Sequence, residues 1–135
     1  MNVKFLKLIL VVGLTTITIV LLMMPWSNKA QTTPGTDLPP IETHHEFATA
    51  FWTAVRVAKS MPMWTLREVQ FKEGIILAEA RTPTMNFIDD VRIQLSDVTP
   101  VKIVVTSSSR VGLSDFGVNR RRIRAYLSAL SKHLP

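Results

Sequence analysis

Cysteine is absent from the 135 residues. That excludes a disulfide framework, a lipid-modified cysteine, a thiol nucleophile and a cysteine zinc site. It fits either redox compartment and does not locate the protein. Acidic residues are few: 10 Asp and Glu stand against 16 Lys and Arg, for a formal net charge of +6. A mildly basic chain suits an acidic membrane surface without requiring nucleic acid. Aromatic residues make up 7%. None of them interleaves with the arginines in a base-stacking pattern, so no nucleic-acid partner is expected. His44 and His45 are adjacent and cannot share a helix face, and no third ligand lies near them in sequence. Neither a metal site nor a cofactor is expected, and there is no internal repeat.

Charge is also missing from Leu8 to Trp26, and Lys4 and Lys7 stand just before that run. Its length matches the roughly 20 residues a helix needs to cross a bilayer. It exceeds the roughly 7–15 apolar residues of a secretory signal. Thr15, Thr16 and Thr18 can bond to their own helix backbone, and Trp26 suits an interfacial position. Residues 1–26 are therefore expected to form a signal anchor. The lysines place the N-terminus in the cytoplasm and the domain in the periplasm, giving a single-pass inner-membrane protein. The alternative is release to the periplasm by cleavage before Gln31, which would put Asn28 where a small residue is usual. Residues 27–42 are polar, with Pro34, Gly35, Pro39 and Pro40, and read as an extended linker.

Residues 43–135 are expected to form a small α+β domain. Thr43 and Glu46 have capping-box spacing before a helix that ends at Ser60, ahead of Pro62. Trp64 to Phe71 alternates with one slip of phase, which suggests a bulge or a strand exposed on one side. Lys72-Glu73-Gly74 reads as a hairpin turn. Strands follow at Ile75 to Thr82, around Val91, Ile93 and Leu95, and at Val101 to Thr106. A helix closes the chain, with Ile123, Leu127, Leu130 and Leu134 on one face. The order α-β-β-β-β-α predicts two layers, a four-stranded antiparallel sheet with both helices packed on one of its faces.

The stretch Ser107 to Leu130 organises the rest. Gly112 and Gly117 predict a shaped loop. Asp115 and Asn119 are candidate N-caps. Arg120, Arg121, Arg122 and Arg124 then crowd the first turns of the helix, where the macrodipole disfavours cations by about 0.3–1 kcal/mol each. Internal carboxylates or a bound anion must offset that, since arginine forks fit carboxylate and phosphate alike. In an antiparallel hairpin, Asp89 or Asp90 at the start of one strand meets Arg110 just past the end of the next.

Ser109-Arg110-Val111-Gly112, then Ser114-Asp115-Phe116-Gly117, Asn119 and Arg122 resemble the signature of a bacterial and plastid family, domain of unknown function 1499. Arg81 to Pro83 followed by Asp89 and Asp90 resembles it too. The resemblance spans roughly residues 47–130 and implies no established activity.

The functional expectation is a membrane-anchored envelope domain without catalysis. It would be a binding or assembly module for an anionic partner, an anionic lipid head group or a membrane protein. Candidate binding residues are Asp90, Ser109, Arg110, Asp115, Asn119, Arg120, Arg122 and Arg124; no catalytic residue is assigned. One alternative is a hydrolase using Asp89, Asp90 and Ser109, although no histidine stands near to activate the serine. Another is a structural accessory of a membrane complex.

Overall fold

In chain order the elements are α1 (Val3–Met23), β1 (Lys29–Gln31), β2 (Ile41–Thr43), α2 (Phe47–Ser60), β3 (Trp64–Gln70), β4 (Ile75–Arg81), β5 (Ile88–Leu95), β6 (Val101–Ser109) and α3 (Val118–Ser131). The computed structural model describes residues 3–23, 27–112 and 115–134, with side chains of α1 described as far as Ile19. Trp26 and Ser114 lie outside the described residues.

Strands β3 to β6 form an antiparallel meander, as their alternation predicts. The phase slip in β3 is a register shift between Leu66 and Glu68 against β4. The sheet has six strands, however, and not the four expected. The two additional strands come from the segment expected to be a linker. β1 pairs with Thr106–Ser108 and β2 with Val101–Ile103, both antiparallel along the same outer edge of β6. An open edge of unpaired N–H and C=O groups is a template for any nearby chain. Residues 27–43 are thus built into the domain rather than slung outside it.

Alternate residues of the central strands enter the core: Ile76, Ala78 and Ala80, then Val91, Ile93 and Leu95, then Val101, Ile103 and Val105. Phe51, Ala54 and Val57 from α2 and Ile123, Tyr126 and Leu130 from α3 cover them. Full burial of each large apolar side chain stabilises by roughly 1.5–3 kcal/mol. The start of α2 differs from expectation. Thr43 belongs to β2, and its Oγ1 accepts the His45 N–H at 3.3 Å. Glu46 occupies the N-cap without a side-chain bond to the helix.

The three threonines of α1 do bond to their own backbone, for example Thr16 Oγ1 to Val12 O at 2.8 Å. The described apolar side chains of α1, as far as Ile19, are exposed, and none of them enters the core. Among the described residues, no helix is long and apolar enough to cross a membrane. The fold therefore lends no support to the expected transmembrane helix.

Tyr126 is the chain's single tyrosine. Its buried hydroxyl donates to Ala54 O at 3.0 Å, tying α3 to α2. Burial pushes the phenol well above its ordinary value of 10.0. A raised folded-state pKa contributes stability that is whole below the unfolded value and drains as pH climbs beyond it. Above pH 10 the loss should approach about 1.4 kcal/mol per pH unit. Tyrosinate absorbance should therefore rise together with loss of circular dichroism in one cooperative step. A smooth titration near the ordinary value with the fold intact would contradict this.

Candidate functional site

Asp89 and Asp90 are neighbours on β5, so their side chains leave opposite faces of the sheet. Each meets a different arginine. On the open face Arg110 Nε donates to Asp90 Oδ2 at 3.0 Å, and Nη2 donates to Glu79 Oε1 at 2.7 Å. These bonds, Asp90 first and then Glu79, hold the guanidinium above its ordinary pKa. The hairpin register brings Asp90 and Arg110 together as expected, because Asp90 pairs with Ser108.

On the helix-covered face Asp89 is 1% exposed. Its Oδ2 accepts from Arg122 Nη2 at 2.7 Å. Arg122 Nη1 donates to Ser107 Oγ at 2.9 Å and to Asn119 Oδ1 at 2.6 Å. Asn119 Nδ2 donates to Ser109 Oγ at 2.9 Å and to Asn28 O at 3.0 Å. Asn119 is thus buried inside the helix and is not its cap. Asp115 serves the helix start instead, accepting the Asn119 N–H at 2.8 Å and the Gly117 N–H at 2.9 Å. A single polar pocket containing Asp90, Ser109, Arg110 and Asn119 does not form, since the sheet separates Asp90 and Arg110 from the other two.

Arg120 and Arg124 converge on Asp37, a residue of the segment between β1 and β2. This answers much of the puzzle posed by four cations at a helix start. Three of the four are paired with carboxylates within the chain, Arg122 with Asp89, and Arg120 and Arg124 with the single charge they share on Asp37. Arg121 is the exception: its Nη1 donates to Phe116 O at 3.1 Å, and no carboxylate pairs with it among the described residues.

Arg121 faces a groove of about 940 Å3. Its apolar wall includes Met63, Trp64, Met85, Phe87, Val111 and Phe116, contributed by three separate loops. Met85 is 64% exposed and Phe116 71%. Among the described residues, Met63 and Phe116, with Asn86 between Met85 and Phe87, are the non-glycine residues that take positive φ. Such conformations cost about 1–3 kcal/mol each and cluster at ligand-binding sites. Asp89, Arg122, Ser109 and Asp115 lie among the lining residues, as does Arg81 at the end of β4. Arg81 Nη1 reaches only Asn86 Oδ1, at 3.5 Å. The groove therefore joins a trough of methionine and aromatic side chains to two arginines that have no carboxylate partner among the described residues.

Sequence reasoning reached Ser109, Asp115 and Arg122 but missed this groove. Its one readable signal was the pair of large apolar residues, Met85 and Phe87, in a turn just after Pro83. The arrangement also bears on the hydrolase alternative. Asp89 is held by Arg122, Asp90 faces away, and Ser109 Oγ accepts from Asn119 without a bond to either aspartate. Among the described residues, no histidine or carboxylate accepts a hydrogen bond from Ser109 Oγ. Among the described residues, no group of three His, Cys, Asp or Glu is gathered to hold a metal ion.

No curated protein and no solved structure matches the chain. A family model does, over residues 24–130, an interval that contains β1 to β6, the groove and nearly all of α3. The chain belongs to that family, described as a protein of unknown function (DUF1499).

Proposed function

We propose that this chain is a membrane-anchored, non-enzymatic binding module whose ligand joins an apolar body to an anionic group. The groove is the site, and the observation that carries the reading is its pair of arginines, Arg81 and Arg121. Of the five charged lining residues, Asp89 and Arg122 cancel each other, and Asp115 is engaged with backbone N–H groups. Arg81 and Arg121 remain to meet an anion beside an apolar wall. This moves the anionic contact from Arg120 and Arg124, which Asp37 occupies, to the groove. The volume falls within the roughly 300–1,000 Å3 of ordinary small-ligand sites. The anchor is read from the uncharged run Leu8 to Trp26, which continues past the described side chains. An apolar helix whose side chains are exposed needs an apolar surrounding, and a bilayer supplies one.

The full chain in phosphatidylcholine nanodiscs provides the test, with octyl phosphate and octanol as paired probes. Trp64 lines the groove, so its emission reports filling. Octyl phosphate should bind saturably and more tightly than octanol. Arg81→Glu with Arg121→Glu should raise the octyl phosphate Kd at least about tenfold, the equivalent of about 1.4 kcal/mol, while leaving octanol unaffected. Equal affinity of both probes for the wild type and the double variant would overturn the reading.

A further inference from the structure

The segment that follows the uncharged run is stitched to the wall of the groove. Ser27 O accepts the Asp115 N–H at 3.1 Å, and Asn28 O accepts the Ser109 N–H at 2.7 Å. Asn28 Nδ2 donates to Gly112 O at 3.3 Å. Ser109, Gly112 and Asp115 all line the groove. These bonds fix the first residues after the run directly on the loop that carries Val111 and Phe116. An extended chain spans at most about 3.3–3.6 Å per residue. On the anchored reading Ser27 is the first residue after the uncharged run, so the loop bonded to it stays close to the membrane surface. Val111 (61% exposed) and Phe116, beside Arg121 on the same side of the groove, are the residues that loop presents. Apolar side chains flanked by arginine suit an interface carrying anionic head groups.

We infer that the groove opens onto the bilayer that holds α1, and that its ligand is an anionic phospholipid of that bilayer, an acyl chain in the trough and the phosphate at Arg81 and Arg121. This rests on the anchored-module reading and adds to it the ligand's class and source. Ser27 and Asn28 bond the segment next to the run to the groove wall, so the groove stays within a short tether of the lipid it takes.

The test uses the full chain with Trp26→Phe and Trp52→Phe, leaving Trp64 as the reporter. It is reconstituted in vesicles of phosphatidylcholine with phosphatidylglycerol. Bromine on the phosphatidylglycerol acyl chains should quench Trp64, and bromine on the phosphatidylcholine chains should quench it much less. The phosphatidylglycerol quenching should disappear in the Arg81→Glu, Arg121→Glu double variant and weaken in Val111→Asp with Phe116→Asp. Should octyl phosphate bind as described above while neither brominated lipid quenches Trp64, the bilayer source is overturned and the groove reading stands. Failure of both probes removes both. Equal quenching by the two lipids would refute the anionic preference.

Discussion

Replacing Arg122 with alanine is expected to remove about 3–5 kcal/mol of folding stability, the cost of leaving a buried charge without its partner. Small domains hold only about 5–15 kcal/mol in all. The size follows from burial. The Arg122 side chain is 8% exposed and that of Asp89 2%. Truncation strands the carboxylate on a face closed by α3 and strips a donor from both Ser107 Oγ and Asn119 Oδ1. Water could approach the stranded carboxylate only from the groove that both side chains line. Arg122→Lys should fall between, because one ammonium cannot reproduce a planar fork that reaches Asp89 with one nitrogen and Ser107 and Asn119 with the other. Asp89→Asn with Arg122→Met should recover part of the loss, since it removes both charges together. Denaturant unfolding measures all three. A loss in Arg122→Ala under 1 kcal/mol, the size of an exposed pair, would mean that the knot is solvated and not structural.

The same comparison of buried and exposed pairs explains what could be read from the chain alone. The meander was legible because β4, β5 and β6 each alternate over seven or more residues. Register then carried Asp90 to Arg110. The edge strands were not legible: three residues, Lys29–Gln31 or Ile41–Thr43, contain too little alternation to give a period. They form because β6 offers them an edge, which is a tertiary cause. Missing them concealed Asp37, and with it the reason that Arg120 and Arg124 sit at the positive end of a helix. The groove was hidden for a related reason. Its walls come from residues scattered over Met61 to Trp64, Arg81 to Asp89, and Ser109, Val111, Gly112 and Asp115 to Ala125, and no local pattern says that these stretches meet. What the sequence did reveal was an unmet need, cations where acids belong, and the fold meets that need for three arginines and leaves Arg121 to the groove.

Gly74→Ala should cost about 2–5 kcal/mol, combining about 1–2 kcal/mol for a left-handed backbone with about 1–3 for a disturbed buried hydrogen bond. Gly74 has φ of 67° and closes the turn between β3 and β4. An added Cβ would lie 2.5 Å from the carbonyl oxygen of Leu95, with Phe47 Cε2 at 3.5 Å. The obstacle is backbone, so no rotamer change can relieve it. Moving Leu95 away would stretch its own N–H bond to Gly74 O, now 2.8 Å, the rung that extends the β4–β5 ladder beyond Ile75 and Gln94. Gly35 is the matched control. Its φ is 75°, and an added Cβ there meets nothing within 4 Å. Gly35→Ala therefore carries the conformational cost alone, about 1–2 kcal/mol. Subtracting one loss from the other isolates the collision with Leu95, and unchanged m-values would show that both variants unfold from the same compact state. Equal losses at the two glycines would mean that the β3–β4 turn yields freely, and that the Gly74–Leu95 rung contributes nothing to holding the sheet in register.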